Sequence, residues 1–394
     1  MQDQTKNFNY FNKIVLIPLL FTLLFITGCW NNGPERSQQG FERAVAGFPA
    51  ASHYGLQKLT PNQALQAALT LNIADQGLNS WQDLAPALAA SKKYVSRRPQ
   101  DASALSDNGI TITWRQIDAS LSLMQKLLPR LNSRPELLVE QFTWYRVGPD
   151  VSFTGYYEPS IKASYVKTPQ FSHPLYRMPP DVRKGQPYHN REAIDEKGVL
   201  QGRGLEIAWI EDKVDSFFLQ VQGSGRLEFP DGSIKHVLYA GKNNCAYVSL
   251  GRVMKEKGLL EPDNVNMRSI RNYLKLHPQQ VSALLCENPS YVFFRLADKG
   301  PVGAMGAVIT PKVSLATDSN VLPMGSLLAF AVPLPGNNGQ QGTGGLLAGI
   351  GLPQDRGGAI KGNRADLFCG AGPWAEHVAG HLDMPGAVFI LIAK

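Results

Sequence analysis

Several things are missing from this 394-residue sequence, and each absence removes a class of protein. No apolar stretch is long enough to span a bilayer as a helix. Such a helix needs about 20 apolar residues, and the longest run, Ile14 to Phe25, falls well short. No internal repeat and no long low-complexity tract occur, which argues against a repeat array. Charged residues make up only 18%, too few for a chain held open by charge. Lys and Arg are scattered rather than clustered. The net charge of +7 therefore favours encounter with anionic surfaces but gives no nucleic-acid footprint. The zinc motif His-Glu-x-x-His is absent. His377 and His381 in HVAGH share a face if helical, yet no third ligand is evident, so no metal is expected. Cysteine is scarce, limited to Cys29, Cys245, Cys286 and Cys369. Apolar residues are not scarce: at 43% they suffice for two ordinary domains with real cores.

The N-terminus reads as a targeting segment rather than part of the fold. Lys6 and Lys13 precede the apolar run, which ends in Ile26-Thr27-Gly28-Cys29. A short basic region, a short apolar core and small residues before a cysteine describe a secretory signal. Ile-Thr-Gly-Cys resembles a bacterial lipoprotein signal. That resemblance implies cleavage before Cys29 and acylation of its thiol, with residues 1–28 as the signal. By resemblance to the bacterial sorting rule, Trp30 in place of aspartate favours the outer membrane. Residues 29–52, rich in Asn, Gly, Pro, Ser and Gln, form a tether without a core. A secreted location exposes the remaining cysteines to oxidation and permits one disulfide among Cys245, Cys286 and Cys369.

Residues 60–145 read as helical. Thr60 with Pro61 suits an N-cap and first turn. Thr113 with Gln116 fits a capping box. Ile117, Leu121, Met124 and Leu128 then form a stripe that Pro129 is expected to stop. From residue 147 glycine, proline and tyrosine increase. Short strands are expected at Ser216–Val221, His236–Tyr239, Tyr291–Arg295, Leu327–Val332 and Val388–Ile392. Asp231-Gly232 marks a hairpin turn, and short helices are expected near 245–257, 265–276 and 279–287. Gly339 to Gly351 reads as a glycine-rich loop. Many short strands with glycine turns suggest barrels.

The chemistry concentrates in DRGGAIKGNRADLFCG, Asp355 to Gly370. Two aspartates bracket a glycine turn that also carries Lys361 and Arg364. Gly357 and Gly358 let the backbone turn tightly or approach a ligand. Asp366 opens Asp366-Leu367-Phe368, a strand or helix start packed on apolar surface. A carboxyl in such a setting loses solvation, its pKa rises, and it can hold a proton near neutral pH. A second carboxylate nearby would raise it further, and a nearby Lys361 would oppose this.

This stretch resembles the C-terminal part of the membrane-bound lytic murein transglycosylase A family. That family carries a domain named for three aspartates, matched here by Asp318 in ATDSNVLPMG, Asp355 in DRGGAIKG and Asp366 in RADLFCGAGP. Further blocks appear in family order: TGYYEP from Thr154, PLYRMPP from Pro174, VQGSGRLEFPDG from Val221, YAGKNNCAY from Tyr239 and NPSYVFF from Asn288. The resemblance covers roughly residues 150–390. It implies a mainly β fold with α (α+β). A double-psi β-barrel domain carries the N-terminal helices, and a second β-barrel-like domain is inserted, with the substrate groove between them. Carried onto this chain, residues 53–150 and 296–394 form the barrel and 151–295 the insert. Glu158 and the glycine loop before Asp355 depart mildly from the family and bear on the groove lip.

The same resemblance implies a peptidoglycan lytic exotransglycosylase, a lyase acting on polysaccharides. It would cut between N-acetylmuramic acid and N-acetylglucosamine without metal or cofactor, leaving a 1,6-anhydro sugar. Asp366 matches the single catalytic acid, with Asp355, Asp318 and Lys361 as support. Thr154, Gly155, Tyr156, Tyr157, Gln222 and Ser224 are substrate-binding candidates. Tyr156 and Tyr157 suit sugar stacking or core packing. Gln222 and Ser224 suit sugar hydroxyls or a turn. Implied partners are glycan strands, the outer membrane through Cys29, and cell-wall synthesis complexes. Two rivals remain open: a hydrolase using both Asp355 and Asp366, and a non-catalytic peptidoglycan-binding lipoprotein.

Overall fold

The computed structural model describes residues 55–262 and 265–394, so the signal, the tether and Cys29 lie outside the described residues. Its centre is a closed barrel of six strands. In chain order these are β5 (Val151–Glu158), β12 (Ser314–Thr317), β13 (Leu328–Pro333), β14 (Leu346–Asp355), β15 (Arg364–Ala371) and β16 (Asp383–Ala393). Around the barrel they run β16-β13-β14-β12-β15-β5, and β5 pairs back onto β16 to close it. Two pairs are parallel, β12 with β14 and β5 with β15. β1 (Gly55–Lys58) and β4 (Phe142–Gly148) extend the sheet from β16.

β13 is buried at every position, as is most of β14 and β16. The N-terminal helices cover their outer face, so both faces are dry and the strands read as continuous apolar runs. Leu88, Leu121, Met124 and Leu128 from those helices join Phe330, Ile350 and Ile390 from the barrel in one core. Thr60 and Thr113 cap their helices as expected, Thr113 through its capping box with Gln116 and Thr60 through a further box with Gln63. Pro129 does not stop its helix, which runs from Trp114 to Leu131. The region 60–145 is also not wholly helical. Alternating residues in β3 (Ile110–Thr113) pair with β2 (Ser103–Asp107) through an Asn108-Gly109 turn. Both turn residues take positive φ, 48° and 74°, the geometry that Asn-Gly favours.

The second sheet is built from β6 (Ser160–Ser164), β7 (His173–Tyr176), β8 (Glu206–Ile210), β9 (Ser224–Glu228), β10 (Ile234–Lys242) and β11 (Val292–Ala297). Its order is β11-β10-β9-β6-β8-β7. The expected insert began at residue 151, whereas the pairings put β5 in the barrel; the chain crosses between sheets at Pro159. Expected helices appear as Leu250–Glu256, Met267–Leu276 and Val281–Cys286. The expected strand Ser216–Val221 is instead part of a helix, Lys213–Gln222. Its apolar run is ambiguous by itself, and the ends decide. Asp212 caps the start, and Gly223 ends it at φ +81° in the left-handed region.

The expected glycine loop is divided too, since Gly349 and Gly351 lie inside β14. A Cβ on Gly349 would sit 2.0 Å from the Gln76 side-chain oxygen. That space lets the Gln76 amide accept from Ile350 N–H and donate to the carbonyls of Ile350 and Lys312. The glycine therefore serves a buried polar clip between the N-terminal segment and the barrel.

Candidate active site

A cleft of about 2100 Å³ runs between the two sheets. Thr154, Tyr156, Asp355 and Asp366 line its barrel wall, and Gln222, Ser224 and Tyr239 line the insert wall. Asp366 sits on β15 directly between β12 and β5, opposite Ala316 on one side and Thr154 on the other. The parallel register brings the Thr154 hydroxyl to the carboxylate, where it donates to Oδ1 at 2.7 Å. Arg364, two residues earlier on the same strand face, donates to the Thr154 oxygen at 3.4 Å.

The Asp366 carboxyl opens onto the cleft but is surrounded by protein on its other sides. Loss of solvation raises its pKa from 3.8 to about 6. The Thr154 hydrogen bond and the Arg364 charge oppose that rise, and Asp355 adds weakly to it. A carboxyl poised near 6 can give up a proton and take it back within the neutral range.

Asp355, at the end of β14, is also raised by burial. Three donors hold it: Tyr156 hydroxyl to Oδ2 at 2.9 Å, and the Ala304 and Arg356 N–H groups to Oδ1. Burial and Asp355 together push the Tyr156 phenol far up, so it remains a hydrogen donor. The ring of Tyr156 tilts against Phe368 at 5.3 Å. Asp318 takes a different place. It lies just past β12 and off the cleft wall, where it accepts N–H bonds from Gly362 and Asn320. Those bonds hold its pKa low, and nearby Lys361 helps. Asp318 thus fastens the glycine turn that follows Asp355. Lys361 is exposed beside it and does not line the cleft; the cation that acts on Asp366 is Arg364.

Among the other candidates, Gly155 is required by packing. A Cβ there would lie 2.9 Å from the Ala379 Cα and 3.0 Å from the Cys369 sulfur. Tyr157 is buried at 5% exposure and does not line the cleft. Its hydroxyl donates to Glu376, and burial lifts its pKa to about 12. Gln222 lines the cleft, but its side-chain oxygen already accepts the Tyr157 N–H at 3.0 Å, buckling insert to barrel. Ser224 lines the cleft with little exposure. Glu158 is buried in that same joint, paired with Arg226 and His236 rather than at the groove lip.

His377 and His381 do share a helix face, with ring centroids 4.6 Å apart. His381 Nδ1 donates to the His377 carbonyl, and His377 Nε2 donates to that of Gly336. Among the described residues no group of three His, Cys, Asp or Glu side chains is placed to hold a metal. Cys245, Cys286 and Cys369 are free thiols. Cys369 is buried and its pKa is pushed far up, which suits packing rather than nucleophilic attack.

Sequence reasoning missed several cleft residues: Tyr239, Lys242, Tyr247, Arg295 and Asp383. Tyr239, Lys242 and Tyr247 lie in YAGKNNCAY, whose aromatic and basic spacing was the available signal. Arg295 and Asp383 carry no local signal; only the pairing of distant strands brings them to the cleft.

Fold and site together define a barrel protein with an inserted sheet and two desolvated aspartates on one wall of the cleft between them. The profile of the MltA specific insert domain matches residues 152–295, and that of the 3D domain matches 313–392. Membrane-bound lytic murein transglycosylase A of Escherichia coli K12 is 38% identical over 256 residues, covering 63% of this chain and 68% of the relative. Its Vibrio cholerae counterpart is 38% identical over 245 residues, covering 61% and 65%. The chain belongs to the membrane-bound lytic murein transglycosylase A family. A membrane-bound lytic murein transglycosylase from Agrobacterium tumefaciens superposes with TM-score 0.69 at 28% identity, covering 86% of this chain and 97% of that one. E. coli MltA with bound chitohexaose gives 0.66 at 28% identity, covering 79% and 90%.

Proposed function

We propose that this chain is a lytic transglycosylase that cleaves the β-1,4 bond between N-acetylmuramic acid and N-acetylglucosamine in peptidoglycan, with Asp366 as its sole acid and base. The observation that carries this is the Asp366 carboxyl: open to the cleft, hydrogen-bonded by Thr154, and raised to about 6 by burial. Protonated Asp366 donates to the leaving glycosidic oxygen. Positive charge develops at the anomeric carbon, as in other glycoside cleavages. The 6-hydroxyl of the same muramic sugar attacks that carbon, and ionised Asp366 accepts its proton. Thr154 and Arg364 favour the ionised form between the two steps. An internal nucleophile needs no ordered water, and proximity supplies much of the rate. The product is a 1,6-anhydro sugar.

The bonding of Asp355 favours this over the two-carboxylate hydrolase. Tyr156, Ala304 and Arg356 engage both its oxygens, which suits a brace and not a base for water. The chitohexaose bound to E. coli MltA supports a glycan strand in the cleft. We place the barrel, Asp355, Asp318 and the glycine turn as the catalytic support, and the insert as the other wall of the groove.

The test is mass spectrometry of muropeptides released by the purified, lipid-free protein. Anhydro ends are expected. Reducing ends would establish hydrolysis, and binding without release would establish a binding module. Because the proton donor must be protonated, kcat/KM should fall about tenfold per pH unit above about 6. A rate that instead rises from pH 6 to 8 would remove Asp366 from the acid role.

The lipoprotein signal supports anchoring through acylated Cys29 at the periplasmic face of the outer membrane. Cys29→Ala should then lose fatty-acid labelling and leave the membrane fraction. Unchanged labelling and fractionation would overturn the anchor.

A further inference from the structure

The two walls of the cleft carry different charge. Asp355, Asp366 and Asp383, the carboxylates among its described lining residues, all lie on the barrel wall, where Arg356 and Arg364 offset part of their charge. The insert wall carries Lys242, Arg268 and Arg295 and, among the described residues, no carboxylate. Lys242 ends β10 opposite Val292, and Arg295 lies three residues further along β11 opposite Leu238, so the two cations are spaced along the wall. Both are exposed, and neither has an ion pair among the described residues. Two other insert cations, by contrast, are paired, Arg203 with Asp181 and Lys235 with Asp298. Tyr239 and Tyr247 also line this wall, 51% and 48% exposed.

A backbone of N-acetylated hexosamines is neutral and gives two lysine or arginine charges no counter-ion. The anions of a peptidoglycan strand are on its branches: the lactyl carboxylate where the stem has been removed, and the stem carboxylates where it is present. We propose that Lys242 and Arg295 each read a carboxylate branch along the insert wall, which also offers Tyr239 and Tyr247 as exposed stacking faces. The pair selects strands that carry carboxylate branches over neutral chito-oligosaccharides. This rests on the peptidoglycan reading above and names which part of that substrate the insert recognises.

The experiment measures dissociation constants on the Asp366→Asn background, with and without Lys242→Gln plus Arg295→Gln. Three probes are used: stem-bearing strands, amidase-stripped strands and chitohexaose. An exposed ion pair is worth roughly a two- to fivefold change in affinity, so losing both should weaken binding roughly 5- to 20-fold. The loss should shrink at high salt and deepen with Arg295→Glu. Weakening confined to stem-bearing strands assigns the pair to stem carboxylates. Weakening confined to stripped strands assigns it to the lactyl carboxylate, which is amidated when the stem is present. Equal weakening with chitohexaose, or none with any probe, overturns the proposal. Anhydro products from the wild type are read separately, and their absence would sink the transglycosylase reading while leaving the binding comparison intact. Thermal melts of the double variant, whose two substitutions are on the surface, check that it is folded.

Discussion

Asp366→Asn is expected to bind insoluble peptidoglycan as the wild type does and to release almost no anhydro-muropeptide. Asn matches Asp in shape and keeps an oxygen to accept from Thr154, so the cleft should be undisturbed. It cannot donate a proton with the required acidity. General acid–base groups contribute about 10²–10⁴-fold, and here one group serves both proton transfers, so the loss should lie at or beyond the upper end. Release within a few-fold of wild type would mean that the proton comes from elsewhere, with Asp355 the next residue to replace. The same variant carries a stability signature. Asp366 titrates near 3.8 when unfolded and about 6 when folded. The folded pKa is raised, so the stability tied to the neutral carboxyl is complete below the unfolded pKa and is lost as pH rises through about 6. The loss amounts to as much as about 3 kcal/mol. Asn does not titrate. The variant should therefore melt above the wild type at pH 8, with the gap closing towards pH 4. A gap that does not change with pH would show that burial does not set this carboxyl's pKa.

Arg191→Met is expected to unfold the insert far more readily than any exposed substitution. Arg191 is 2% exposed. Its guanidinium donates to the carbonyls of Asn288 at 3.0 Å and Ser290 at 2.6 Å, and to the Gln220 side chain at 3.0 Å. It also pairs with Asp195 at 3.5 Å and packs on the rings of Phe217 and Tyr291. One side chain thus ties helix Arg191–Asp195, helix Lys213–Gln222 and the approach to β11 together. Methionine fills much of the volume but orphans these acceptors and leaves Asp195 without its cation. Breaking such a buried pair costs about 3–5 kcal/mol, which corresponds to a melting shift on the order of 10 °C. Lysine should not rescue it, because a single ammonium cannot reproduce the fork. Gln220 and Ser290 also line the cleft, so KM should rise at temperatures where the barrel remains folded. A melting temperature within 2 °C or so of wild type would show that water replaces the guanidinium at this joint.

Local chemistry was legible in the sequence. Thr60 and Thr113 announce their helices because a cap needs only a hydroxyl with a first-turn proline, or with an amide three residues on. The apolar runs of β13 and β16 announce buried strands. The ordered blocks from Thr154 to Asp366 mark the candidate acid and its family, since residue identity and order need no coordinates. The Asn108-Gly109 hairpin was equally local and was overlooked within a helical stretch.

What only the tertiary structure decided depends on distance through space. Lys361 and Arg364 both lie within five residues of Asp366, and only the strand decides between them: Arg364, on β15 itself, acts on the carboxyl, while Lys361 stays exposed in the turn. Asp318 and Asp355 look alike in sequence. One ends up tying a turn with its pKa lowered, the other buried against Tyr156 with its pKa raised. Tyr156 and Tyr157 are adjacent, and strand alternation sends one to the cleft and the other into the joint. The insert wall with Lys242 and Arg295 exists only because β10 and β11 pair across a long stretch of chain. The raised pKa of Asp366 comes from desolvation by burial, and its hydroxyl partner lies 212 residues away. Solvation and Coulomb energy follow spatial neighbours, and those neighbours are set by the barrel's closure rather than by any local pattern.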